Sequence, residues 1–210
     1  MLLTKYTHAA VRVEEGGRAI FVDPGIWTEP GALDGAEAIL ISHVHNDHMS
    51  AELIAEAAGK NPDLRVYGPA EALAHLDLGE RAVAVEAGES FEAAGMTVSA
   101  HGGRHAHIWE ELPDVANLGY LVGGRVYVPG DSLVPPGVDV EVLFVPIHGS
   151  WMKIGEAIAF AREVKPERAH PIHDAQMSPE RGWHSADAWL TRASETAYSR
   201  LAFGVAEDLG

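Results

Sequence analysis

The stretch ISHVHNDHMS, residues 41–50, places His43, His45, Asp47 and His48 within six positions. Imidazole and carboxylate are ligands common to zinc, manganese and iron. On a helix, residues i and i+4 share a face, so His43 and His45 would diverge and could not serve one cation. The segment is therefore expected to be extended or looped. In an extended chain positions 43, 45 and 47 lie on one side, and a turn over 46–48 brings His48 toward a second, adjacent cation. At this composition the pattern His-x-His-x-Asp-His arises by chance roughly 0.002 times, so a chemical role outweighs an accidental cluster. The chain has no cysteine, which removes disulfides, thiolate metal sites and a cysteine nucleophile together. Any metal must be held by histidine and carboxylate.

Other chemistries find less support. There is no Gly-x-Ser-x-Gly elbow and no phosphate-binding Gly-Lys-Ser/Thr loop, and Ser132 follows Asp131 without an evident base. The net charge of −16, from 15 Lys plus Arg against 31 Asp plus Glu, repels polyanions and argues against a nucleic-acid partner. No apolar run is long enough to span a bilayer, and MLLTKYTHAA lacks the charged start and apolar stretch of a secretory signal. It reads as the first strand of a cytoplasmic protein.

The elements that must position the cluster follow from the turn chemistry. HAAVRV and RAIFVD flank EEGG as a hairpin, and GAEAILIS is a short apolar run leading into the cluster. Ser50 is a helix cap for AELIAEAAG, expected to end at Gly59. Strands are expected at LRVYG, AVAVEAG, FEAAGMTVSA, LGYLVGGRVYVPG, with a hairpin turn at VGG, and VEVLFVP. Beyond residue 150, KIGEAIAFAREV has helical spacing, ERAHPIH is a short segment, SADAWLTRASETAYS reads as a final helix and RLAFGV as a last strand. At 210 residues with 47% hydrophobic content, a single domain over residues 1–210 is expected. Strand-rich halves, each followed by helices, suggest packed sheets covered by helices.

HVHNDH resembles the signature of the metallo-β-lactamase fold superfamily, and the surrounding sequence looks like its cytoplasmic metal-dependent hydrolases, including the ascorbate-6-phosphate lactonases. THAAVRVEEGGRAIFVDPG resembles that branch's opening hairpin and Asp-Pro turn, VYVPGDS its Gly-Asp-Ser/Thr motif, and AHPIHDA its closing ligand segment. The resemblance spans residues 7–175 and implies an α/β fold: an αββα four-layer sandwich of two mixed β-sheets flanked by helices. It also implies two divalent metal ions, zinc first, with manganese and iron as alternatives. One would take His43, His45 and a third histidine; the other Asp47, His48 and His173, with Asp131 bridging both. SAHGGRHAHIW offers His101, His105 and His107 as the third. GGRHA resembles the family's third-ligand segment and favours His105, while His101 closes a strand from which a ligand could emerge.

The function implied is hydrolysis of a small-molecule ester, lactone, amide or phosphodiester by a hydroxide shared between two cations. Asp47 and Asp131 are then the catalytic carboxylates, Asp131 holding the pair together and Asp47 orienting the attacking oxygen. Alternatives are a mononuclear iron dioxygenase of the same fold and a non-catalytic metal-binding domain. A diiron redox enzyme, with Glu at the second motif position, is disfavoured by His45. His8 and Asp23 are expected to orient ligands through hydrogen bonds. His148 either contacts substrate or packs beside Trp151, and Trp27, Trp109 and Trp151 either wall the pocket or pack in the core. His75, His170 and His184 carry no supporting context. Homo-oligomerisation is left open.

Overall fold

The computed structural model describes residues 1–210. Its first half contains β1 (Leu2–Lys5), β2 (Val11–Glu15), β3 (Arg18–Val22), β4 (Ala38–Leu40), α1 (Ala51–Lys60), β5 (Arg65–Gly68), α2 (Ala70–Leu73) and β6 (Ala82–Ala84). Next come β7 (Ser90–Ala93), β8 (Met96–Gly102), β9 (Leu118–Val122), β10 (Val126–Val128) and β11 (Val142–Pro146). The chain closes with α3 (Ile154–Val164), β12 (Arg168–Ile172), α4 (His184–Ala193), β13 (Ala197–Tyr198) and β14 (Ala206–Asp208).

These strands form two seven-stranded sheets, ordered β14-β1-β2-β3-β4-β5-β6 and β13-β12-β11-β10-β9-β8-β7. Each sheet is antiparallel through its hairpins and parallel across β3-β4-β5-β6 in the first and β10-β11-β12-β13 in the second. Both are therefore mixed. Their facing surfaces enclose the largest core cluster, which includes Val13, Ile20 and Val22 from one sheet and Val98, Tyr120 and Phe144 from the other. A second cluster packs Ile54 and Ala58 of α1 on Phe21, Ile39 and Val66, and a third packs Phe160 of α3 and Leu190 of α4 on Leu143 and Val145. Helix, sheet, sheet, helix is the four-layer arrangement of the metallo-β-lactamase fold.

Several boundaries differ from the sequence reading. Helix α1 runs past Gly59 to Lys60 and stops at Asn61, an extended residue whose side chain is held by the Ala36 carbonyl. FEAAGMTVSA is a hairpin rather than one strand, because Ala94 and Gly95 both adopt positive φ between β7 and β8. The last helix ends at Ala193, and the segment taken as its final turn contains β13. RLAFGV is not a strand: Arg200 is drawn into ion pairs and Gly204 turns the chain, so the closing strand is Ala206–Asp208. No helix is long and apolar enough to cross a membrane.

Candidate metal centre

The segment after β4 is irregular, and the turn over 46–48 forms as expected, with the backbone N–H groups of His48 and Met49 both donating to the His45 carbonyl at 3.1 and 2.9 Å. His43 and His45 face each other through Nε2 and Nδ1, 3.1 Å apart. The His105 ring joins them, with ring centroids 5.0 Å from His43 and 4.9 Å from His45. Asp131, on the loop after β10, completes this group, its donor atoms and theirs all within 4.8 Å of one another. A second group of the same tightness contains His8, Asp47, His48 and His173. Asp131 lies between the two. Its Oδ2 is 3.2 Å from His105 Nε2 and 3.1 Å from His173 Nε2, and its Oδ1 is 3.0 Å from His48 Nε2.

Hydrogen bonds on the outer nitrogens indicate which way each imidazole is aimed. His48 Nδ1 is 2.8 Å from Asp23 Oδ2, so it donates there and its Nε2 points inward. Ser42 donates its hydroxyl to Asp23 Oδ2 at 2.6 Å and accepts from His43 Nδ1 at 2.9 Å, leaving His43 Nε2 free in the same sense. His105 Nδ1 donates to the Ala106 carbonyl at 2.6 Å. A partner on the outer nitrogen is what fixes the tautomer of a metal-binding histidine. His8 is the reverse case. Its Nδ1 accepts from the Ala175 backbone N–H at 3.2 Å, so its Nε2 carries the proton and donates to Asp47 Oδ2 at 3.1 Å. His8 thus orients a carboxylate, the role expected from sequence.

Burial and the gathered charges set the electrostatics of the two groups. Burial lowers His43 well below the ordinary histidine range and His8 to about 4. Burial also acts to lower His48 and His173, but the carboxylates overcome it: Asp131 with Asp23 raises His48 well above the usual range, and Asp131 raises His173 to about 9. Burial raises Asp131 and Asp47, yet the surrounding histidines hold both well below the usual carboxylate range. His48 Nε2, Asp131 Oδ1 and both nitrogens of His173 are nevertheless buried without an aligned hydrogen bond, although His48 Nε2 and His173 Nε2 stand 3.0 and 3.1 Å from Asp131. Buried polar atoms are rarely left so, and this set fits divalent cations in chemistry and in aim.

Local backbone serves the same end. His8, Asp23 and His173 all have positive φ, at 66°, 51° and 60°. The His173 N–H donates to the His8 carbonyl at 3.1 Å, joining two of these turns directly. The same carbonyl accepts from the buried Lys5 ammonium at 2.6 Å. Lys5 lies 3.8 Å from Asp174, which Arg200 binds from the other side. Gly25 permits the chain to pass Asp47, since a Cβ there would stand 1.8 Å from the Asp47 carbonyl oxygen.

Of the other candidates, His101, His107 and Trp109 lie apart from the centre, whereas Trp27 and Trp151 border it. His101 lies on β8 on the face opposite Val98 and Ala100, against Ser99 at 2.9 Å and the Tyr127 ring, because strand alternation turns it away from the centre. His107 is exposed and pairs with Asp114. His148 borders a groove of about 330 Å³ formed with Ile147, Met152, Ile154, Met177 and Trp189. Burial and the nearby His173 lower its pKa. Trp27 stands edge-on to His8 at 4.8 Å, Trp109 is exposed, and Trp151 donates its indole N–H to Asp131. Ser42 and Asn117 were not legible as site residues. Asn117 accepts from the Asp131 backbone N–H at 3.0 Å and donates to the Pro129 carbonyl at 2.9 Å. Only the polar residue closing an apolar run hinted at Ser42, and nothing local marked Asn117.

Residues 2–173 match the family described as Beta-lactamase superfamily domain. Protein Rv0786c of Mycobacterium tuberculosis is 38% identical over 186 residues, covering 86% of this chain and 87% of that protein. A UPF0173 metal-dependent hydrolase of Aeropyrum pernix is 30% identical over 201 residues, covering 81% of each. Among solved structures, Igni18, a metallo hydrolase from Ignicoccus hospitalis, superposes with a TM-score of 0.76 at 19% identity, covering 100% of this chain and 99% of that one. Neither curated relative bears the name of the ascorbate-6-phosphate lactonases, so the narrower resemblance is not carried forward. With the family match running from β1 to His173 and the donor groups gathered where the two sheets meet, the chain belongs to the β-lactamase superfamily of metallo-β-lactamase fold.

Proposed function

We propose that this protein is a metal-dependent hydrolase of small molecules that works with two divalent cations, zinc first among them. His43, His45 and His105 would hold one cation and Asp47, His48 and His173 the other, with Asp131 shared. The observation that carries the reading is the group of buried atoms on His48, His173 and Asp131 that face one another between the two donor groups without an aligned hydrogen bond. Bound there, divalent cations lower the pKa of water and polarise a carbonyl or phosphoryl oxygen, so no protein nucleophile is required.

The chain's own residues then have distinct tasks. Asp131 keeps the two groups in register, its backbone tied to Asn117. Asp47, partly open to solvent at 15% exposure, faces the shared space as a carboxylate and would accept a hydrogen bond that orients water there. The His8 N–H holds Asp47 in that orientation. Esters, lactones, amides and phosphodiesters are the bond types this arrangement can hydrolyse.

The test is metal analysis of protein purified without added metal, followed by a panel of those four bond types. Asp131→Ala is expected to lower metal content and abolish hydrolysis while circular dichroism stays as in the parent. Two retained metals and full activity in that variant would overturn the reading. A single iron with oxygen uptake in the parent protein would replace it with an oxygenase.

A further inference from the structure

We infer that Trp151 is a positioning residue of the metal centre, its indole N–H fixing the rotation of the Asp131 carboxylate. The inference rests on the proposed role of Asp131 as shared ligand. Indole Nε1 lies 3.1 Å from Asp131 Oδ2. The ring stands edge-on to His105 and His173, with centroids 5.8 and 6.0 Å away, and so reaches one histidine of each donor group.

The loop that carries Trp151 is shaped to receive it. A Cβ at Gly149 would lie 2.7 Å from the indole Nε1, 2.9 Å from Cε2 and 3.1 Å from Cδ1. The indole therefore rests against the Gly149 backbone, and any larger residue would push its N–H away from Asp131. With Ile147 docked on β12 through its backbone N–H to the Ile172 carbonyl at 3.1 Å, the loop starts beside His173.

Chemistry separates Trp151 from the other neighbours of Asp131 Oδ2. His105 and His173 approach that oxygen through imidazole nitrogens, which can release a proton and bind a cation. An indole N–H only donates. Trp151 can therefore keep its hydrogen bond when the histidines turn their lone pairs to metal. Asn117 secures the Asp131 backbone, and Trp151 secures its side chain. A hydrogen-bonded ligand carboxylate loses rotational freedom, which is how an outer partner orients a metal ligand.

Two variants test this. Trp151→Phe keeps an aromatic ring and removes the N–H; Gly149→Ala keeps the indole and displaces it. Affinities of the metal-free proteins for Zn(II) and Co(II) are measured by competition with a chromophoric chelator, and the visible spectrum of the Co(II) form reports ligand geometry. Both variants are expected to lose about 10–100-fold in affinity and to shift the Co(II) bands, with Trp151→Phe melting as the parent does without metal. A packing role would instead lower the metal-free melting temperature of Trp151→Phe and leave affinity and spectrum unchanged, which would overturn the inference. Asp131→Ala is measured alongside. If it loses metal while Trp151→Phe binds as the parent does, the role of Trp151 alone falls. If it binds metal as the parent does, the shared-ligand reading falls and takes this inference with it.

Discussion

On the proposed two-cation reading, Asp23→Asn should weaken metal binding at both donor groups at once, although Asp23 belongs to neither. Its carboxylate is fully buried and accepts from the Ser42 N–H at 2.7 Å, the Ser42 hydroxyl at 2.6 Å and His48 Nδ1 at 2.8 Å. Through the Ser42 hydroxyl it also governs His43, whose Nδ1 donates to that oxygen at 2.9 Å. Asparagine preserves the volume and tolerates the left-handed backbone at φ 51°, so the turn survives. The amide, however, puts an N–H₂ where Oδ2 received two donors, and one or both histidines lose the proton acceptor that keeps Nε2 free. Loss of an outer partner costs about 10–100-fold in metal affinity, or about 1.4–2.8 kcal/mol per site. An unsatisfied buried donor adds about 1–3 kcal/mol of instability to the metal-free protein. Chelator competition on metal-free Asp23→Asn, with circular dichroism as control, measures the first quantity, and urea unfolding the second. Ser42→Ala separates the branches, since it removes the acceptor of His43 and leaves His48 on Asp23. Affinities within about twofold of the parent for both cations in Asp23→Asn would refute the reasoning, because the outer partner's expected effect is at least tenfold.

Three further outcomes are expected. His105→Ala empties the group formed with His43 and His45 and cannot be reloaded, whereas His101→Ala and His107→Ala reload as the parent does; failure of His101→Ala to reload would reassign the third ligand. Because Asp131 outweighs burial to raise His173 to about 9, and Asp131 with Asp23 raises His48 well above its usual range, both hold protons at pH 7 until a cation displaces them. Affinity should therefore rise with pH toward about 9, by up to about tenfold per unit for each displaced proton. Calorimetry in buffers of different ionisation enthalpy counts those protons, and a count of zero at pH 7 contradicts the assignment. Gly25→Ala must move backbone, since its Cβ would meet the Asp47 carbonyl oxygen at 1.8 Å. It should cost about 3 kcal/mol in urea unfolding together with weaker metal binding, and parent-like behaviour in both assays would show that the loop gives way freely.

How much of this was legible beforehand depended on distance along the chain. The 43–48 loop could be read because its geometry is local: helical spacing is wrong for two adjacent ligands, and the turn over 46–48 follows from the residues themselves. Packed sheets covered by helices followed from apolar runs and turn residues, and their number and four-layer order from the family resemblance. Choosing among three histidines in SAHGGRHAHIW required knowing where β8 ends, because one residue of register sends His101 to the opposite face. Ala206–Asp208 has little strand character of its own and becomes β14 by pairing with β1, a partner some two hundred positions away. Ser42, Asn117 and Lys5 act on groups that are their neighbours only in the folded chain, so their types and positions carry no signal when read in order.

The left-handed backbone at His8, Asp23 and His173 has an evolutionary consequence. Each such residue forgoes about 1–2 kcal/mol that glycine would recover, since its Cβ crowds the following carbonyl. Glycine there would relax the chain and delete the side chain in one step. At Asp23 and His8 that relief is offset, because glycine would leave the Ser42 and His48 donors or the Ala175 N–H buried without an acceptor; at His173, whose ring nitrogens make no aligned hydrogen bond, selection for heat resistance alone should drift toward glycine. Only selection that includes metal retention would keep that histidine, which makes thermal screening a hazardous way to improve this scaffold.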